Sequence, residues 1–156
     1  MRGKLAIDSN LALLLVVGRA EEGLLSRHKR LRHFGQEDYL ALLGYVSVAA
    51  KIVTTPNCLT EVSNLARFGI HGPSLDRVLS SLRVFVNACQ EVHAESLGVS
   101  RDDQFDRLGL TDCAWLAMLG DGVTLLTVDD ALHIEALRRG HDAVNFRHSR
   151  LALRSR

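Results

Sequence analysis

Short apolar runs alternate along this chain with longer stretches in which apolar positions recur every three or four residues. Lys4-Leu-Ala-Ile7 is one such run, and it stops at Asp8-Ser-Asn10, whose side-chain oxygens cap helices by accepting orphan backbone N–H bonds. The pattern therefore predicts strand, turn and helix. The helix from Leu11 is expected to carry through Gly18, where it bends or breaks, into a basic segment ending near Phe34. A second helix is expected from Glu37 to Ala50, with Tyr39, Leu40, Leu43 and Val46 at core spacing. Lys51 to Thr54 reads as a β-branched strand, Pro56 suits the first turn of a helix to Phe68, and Gly69 is its left-handed terminator.

The alternation continues to the other end. Ser74 opens a helix to about Cys89, Ser100 and Asp103 have the spacing of a capping box, and Thr111 caps a helix that ends at Gly120. Val123 to Val128 is the clearest buried strand. A helix from Asp130 to Arg139, a stop at Gly140 and a strand from Ala143 to Phe146 follow it. Between Gln90 and Leu108 only a weak strand signal around Val92 rises above polar loop. Strands this short and apolar, separated by helices, imply right-handed crossovers and a sheet covered on both faces. The expected class is α/β: a three-layer α/β/α sandwich around a central parallel sheet of four to five strands.

Length and composition narrow this reading without changing it. The 156 residues fit a single domain, taken here as 1–148 with a basic tail over 149–156. An apolar fraction of 47% and two prolines exclude disordered and collagen-like classes. Cys58, Cys89 and Cys113 are odd in number and form no CxxC pair, which argues against a disulfide framework or a zinc site and for a reducing, cytoplasmic setting. The strongest apolar run, Leu11 to Val17, is far shorter than a membrane span and Asp8 precedes it, so neither a membrane segment nor a targeting segment is expected. Net charge is only +1, but its distribution is uneven. Arg27, Lys29, Arg30 and Arg32 sit with His28 and His33 in one stretch, a candidate RNA-facing patch or an amphipathic helix with Leu24, Leu25 and Leu31 inward. From Arg138 onward six arginines face one acid, Asp142.

In open parallel sheets, sites form beyond the carboxyl ends of the strands. Acids stand there. Asp8 follows the first strand, Glu61 lies on the helix after the second, Asp112 is at the start of its helix, and Asp129 with Asp130 follows Val123 to Val128. Each has an ordinary reading as a cap or helix-start residue, Asp130 above all. Glu61 is the exception, because Asn57, Glu61 and Asn64 form a polar stripe opposite Leu59, Val62 and Ala66. If Asp8, Glu61, Asp112 and Asp129 converge, their repulsion raises at least one pKa or demands a cation. Hard oxygen ligands suit Mg²⁺ or Mn²⁺.

The stretches Leu5-Ala-Ile-Asp8-Ser-Asn10, Pro56-Asn-Cys-Leu-Thr-Glu61-Val, Leu110-Thr111-Asp112 and Leu125-Leu-Thr127-Val-Asp129-Asp130 together resemble the PIN-domain family. That resemblance implies a parallel α/β/α sandwich and a metal-dependent ribonuclease of the kind found in VapC-type toxins. It implies Asp8, Glu61, Asp112 and Asp129 as catalytic metal ligands, Asn10 and Thr127 as supporting polar groups, and Asp130 as an auxiliary ligand. It also implies products with a 5′-phosphate and a 3′-hydroxyl, an antitoxin protein as partner, and pairing as a homodimer. The interval of 53 positions from Asp8 to Glu61 is longer than in typical small toxins, and the excess holds the basic segment.

A second reading is a catalytically silent PIN-like module that binds RNA or protein. A third, a phosphatase or response-regulator receiver, lacks its lysine: Lys4, Lys29 and Lys51 are the only ones, and none follows a later strand. Trp115 is placed in the core with Leu119 rather than as a base-stacking platform.

Overall fold

The first apolar run of the chain becomes the middle strand of a five-stranded sheet in the computed structural model, which describes residues 3–149. The strands are β1 (Lys4–Ile7), β2 (Lys51–Thr54), β3 (Cys89–Glu91), β4 (Val123–Thr127) and β5 (Asp142–Asn145). The helices are α1 (Ser9–Ala20), α2 (Gln36–Val48), α3 (Pro56–Leu65), α4 (Gly72–Ala88), α5 (Ser96–Val99), α6 (Phe105–Met118) and α7 (Asp130–Arg138). All pairings are parallel and the order is β3-β2-β1-β4-β5. The chain thus starts at the centre, works outward to β3, crosses back to β4 and works outward again to β5. This reversal leaves a crevice at the carboxyl ends of β1 and β4, where successive connections diverge to opposite faces.

Helices cover both faces of the sheet: α1 packs against α2, α3 and α4, and α6 packs against α5 and α7. The α/β/α sandwich and its parallel sheet are as the alternating pattern predicts. Helix α1 is enclosed so completely that every residue from Leu11 to Gly18 is buried. Among the described residues no helix is long and apolar enough to cross a membrane.

Several local expectations are corrected. Gly18 neither bends nor breaks α1, which runs on to Ala20. A Cβ there would stand 2.5 Å from the Tyr39 ring, so glycine serves the close approach of α2. The basic segment does not continue the helix. The extended backbone of Glu21 ends α1, a 3₁₀ turn at Glu22–Leu24 follows, and turns lead to Phe34. Leu24, Leu25 and Leu31 are buried as expected, but turns rather than an amphipathic helix put them there.

The core face of α2 is Tyr39 and Leu42, while Leu40 and Leu43 are 53% and 37% exposed; with apolar residues on most sides of this helix, spacing alone did not select a face. Ser100 forms no capping box: it ends α5 and donates to the Leu97 carbonyl. Thr111 caps nothing either, because α6 begins at Phe105 and kinks at Gly109. The weak strand signal belongs to Cys89–Glu91 rather than to Val92. Residues 150–156, most of the expected basic tail, lie outside the described residues.

His28 holds the irregular segment in place. It is fully buried; its Nδ1 accepts the Arg30 N–H at 3.2 Å, and Nε2 lies 2.9 Å from the Leu65 carbonyl, to which the neutral ring donates. Burial keeps its pKa below the ordinary 6.5. A histidine with a lowered folded pKa stabilises fully above its unfolded value, and that contribution is lost as pH falls through the folded one. His28→Ala is expected to cost about 2–4 kcal/mol at neutral pH from the cavity and two orphaned backbone groups. In urea melts the gap between wild type and variant is expected to narrow as the pH is taken below 6.5.

Candidate metal centre

Asp8 leaves β1 at the crevice and caps α1, its Oδ1 accepting the Leu11 N–H at 2.8 Å. Its Oδ2 accepts the Thr127 hydroxyl at 2.5 Å and the Val128 N–H at 2.7 Å, which ties β1 to the end of β4. Thr127 completes a relay. Its hydroxyl donates to Asp8 and accepts the Asp129 N–H at 2.9 Å, while Asp129 Oδ1 accepts the Leu132 N–H at 2.9 Å and caps α7. Asp8 is 5% exposed, and burial raises its pKa against these three donors, with the Asp129 charge adding to the rise.

Glu61 and Asp112 approach from the helices beside the crevice. Thr55 caps α3 and Pro56 sits in its first turn, so Glu61 falls near mid-helix, where its Oε2 accepts the Ser9 hydroxyl at 2.8 Å. In α6, Gly109 adopts φ 80° and ψ 177°, a region essentially restricted to glycine, and the helix restarts with Asp112 in its first new turn. Between α3 and α6 lies an open cleft of about 570 Å³, lined by Asn57, Thr60, Glu61, Asn64, Thr111 and Asp112 among others. The polar stripe of α3 faces this cleft.

Asp112 is pushed up to about 7, first by burial and then by the charges of Asp129, Asp8 and Glu61. The four acids distant in sequence therefore share one electrostatic neighbourhood, and among the described residues none of the influences on Asp112 comes from a basic group. They do not form a closed cage: among the described residues no three His, Cys, Asp or Glu side chains are grouped so as to hold an ion. The donor chemistry fits Mg²⁺ or Mn²⁺, being all carboxylate with hydroxyls and amides around it. A nucleophilic thiol is not part of it, because burial pushes the Cys58 thiol up to about 12.

The other sequence candidates fall elsewhere. Asp130 is not the cap of α7, a part taken by Asp129; it is exposed, accepts from Asn145 Nδ2 at 2.7 Å and lies 3.6 Å from His148 Nε2. Asn10 lines a separate basic cavity with Lys29, Arg30 and Arg32. Arg27 is exposed and outside both cavities. Ser9 is of a capping residue type, yet Asp8 caps α1 and leaves the Ser9 hydroxyl for Glu61. Asn145 carries no local signal, and Arg147 is marked only as one of the six arginines from Arg138 onward. Set against known protein families and curated proteins, the chain matches no family and no curated protein.

Asp112 also sets a pH dependence. Its folded pKa is raised above the ordinary 3.8 to about 7, so the protein without bound metal loses stability as pH rises between those values. Asp112→Asn is expected to melt higher than wild type at mildly alkaline pH, by about 1–2 kcal/mol once solvent screening is allowed for. The difference is expected to vanish near pH 3.8, where wild-type Asp112 is protonated, and to shrink when saturating Mn²⁺ is added. Equal melting at every pH would remove the case for crowded carboxylates.

Proposed function

We propose that the protein is a Mg²⁺- or Mn²⁺-dependent ribonuclease that hydrolyses RNA phosphodiester bonds. The observation that carries this reading is the convergence of four acids: Thr127 bonds to Asp8 and to the Asp129 N–H, Ser9 beside Asp8 bonds to Glu61, and the charges of all three act on Asp112 with no basic side chain among the described residues against them. Carboxylates so placed are stabilised by a divalent cation. The resemblance of the same four positions to the PIN-domain pattern points to RNA as substrate and to 5′-phosphate and 3′-hydroxyl products. A cytoplasmic setting belongs to this proposal, and three free cysteines agree with it.

Asp8, Glu61, Asp112 and Asp129 are the residues that would hold the ion. When bound, the ion would lower the pKa of a coordinated water and neutralise charge on the scissile phosphate. The remaining work is done by the chain. Thr127 and Val128 fix the Asp8 carboxylate on one side and Ser9 orients Glu61 on the other. Asn57, Thr60, Asn64 and Thr111 line the cleft with donors and acceptors suited to a sugar–phosphate strand.

The silent-module reading draws on one fact, that both Asp8 oxygens are already engaged by protein donors. Cleavage assays separate the two. Mn²⁺-dependent cleavage of a generic single-stranded RNA is expected in wild type and abolished in Asp8→Asn and Asp129→Asn. Thr127→Val, which leaves the acids but loosens Asp8, is expected to lower the rate about 10- to 100-fold. Asp130→Asn is expected to cleave normally. Equal activity in wild type and both Asp→Asn variants would falsify the site assignment.

A further inference from the structure

On the β5 side of the same sheet edge lies a second cavity, of about 330 Å³, lined by Asn10, Lys29, Arg30, Arg32, His33, Val128 and Arg147. No acid lines it. Among the described residues the side chains of Lys29, Arg30, Arg32 and Arg147 enter no salt bridge, so the protein supplies no counter-charge to this cluster. These charges crowd one another, and Arg147 with Arg32 adds to the burial that lowers the His33 pKa.

Buried polar groups present the cluster on a fixed scaffold. His28 is bonded to the Arg30 N–H and to the Leu65 carbonyl, which sets the turn carrying Lys29 to His33. Asn145, 3% exposed, accepts the N–H groups of Arg147 and His148 at 3.0 and 3.3 Å and donates to Asp130, which sets the start of the helical segment 146–149 that carries Arg147. The cavity adjoins the acids along the chain: Asn10 is two positions after Asp8, and Val128 both precedes Asp129 and donates to Asp8. The acid cleft opens toward α3 and α6, the basic cavity toward the helical segment after β5. A polyanion laid along this edge meets both.

We infer that the basic cavity is a phosphate subsite, which holds the backbone of a single-stranded nucleic acid next to the acid cleft. Its place beside a cutting site rests on the ribonuclease reading, but its binding does not. The arginine forks and Asn10 amide supply donors to non-bridging phosphate oxygens, and with no acid in the lining an anion meets no repulsion there. Arg27, on the same segment but outside the cavity, takes no part.

The test uses the full chain and a short fluorescent single-stranded RNA, with EDTA present to prevent cleavage, and reads anisotropy across a salt series. The double variant Arg32→Gln/Arg147→Gln is expected to bind about tenfold more weakly and to flatten the slope of log K against log salt by about 1.4, two phosphate contacts at about 0.7 each. Arg32→Lys/Arg147→Lys, which keeps the charge, is expected to restore the slope and guards against a folding defect. Arg27→Gln is expected to change neither. An unchanged slope in the glutamine variant overturns the subsite, and so does an Arg27→Gln loss of equal size, the mark of a diffuse positive surface. Competition by inorganic phosphate as strong, per molecule, as by unlabelled RNA overturns the assignment to a nucleic-acid backbone. Wild type that binds RNA through the cavity yet fails to cleave it in Mn²⁺ overturns the ribonuclease reading and leaves the subsite standing.

Discussion

A carboxylate taken out of water needs hydrogen-bond donors or a cation, and the carboxyl edge of this sheet is organised around that requirement. Asp8 is the case in which the protein supplies the donors itself. Its three bonds, to Leu11, Thr127 and Val128, join the start of α1 to the end of β4 across the point where strand order reverses. If those donors were removed, the crevice would lose both its charge and the contact that holds its two walls in register. Asp112 is the opposite case, pressed by burial and by three like charges with no donor or cation among the described residues acting against them. At Asp8 the protein meets the requirement itself, and at Asp112 it leaves it to the cation of the proposed function.

The strand order makes such an edge available. Because β1 lies in the middle and the chain leaves it first toward β2 and later returns to β4, the connections after β1 and β4 part from each other instead of closing over the edge. Into that opening come α3 and α6 with Glu61 and Asp112, and from the other side the turns after α1 and the helical segment after β5 with their basic side chains. Acid and base are thus kept in neighbouring cavities rather than neutralising one another, which the proposed metal-dependent cleavage of an anionic strand requires.

Small buried polar groups tie this edge together. Thr127 relays between Asp8 and Asp129, His28 pins the turns after α1, and Asn145 pins the helical segment after β5. On the far flank, Arg139 forks onto Asp102 while also bonding the buried Glu135, which ties the loop before α6 to α7. That loop leads into the kink at Gly109 and so to the placement of Asp112.

The chain alone determined four of the five strands, most of the helices and the parallel α/β class, and it marked four acids as candidates, because these follow from local periodicity and from acids standing just after apolar runs or in a polar stripe. Legibility failed where the deciding contact was distant. The face of α2, the role of Gly18 and the turns at 22–34 depend on the Tyr39 ring, on burial against other helices and on a histidine bonded to a carbonyl 37 positions away. Ser9 looked like a cap until Glu61, 52 positions on, claimed its hydroxyl. Arg147 was one of six arginines in a basic run from Arg138 until the sheet order brought it beside Arg32. Side-chain spacing along one element can be read from residue types, whereas the meeting of two elements is set by how the sheet closes, and only the tertiary structure records that.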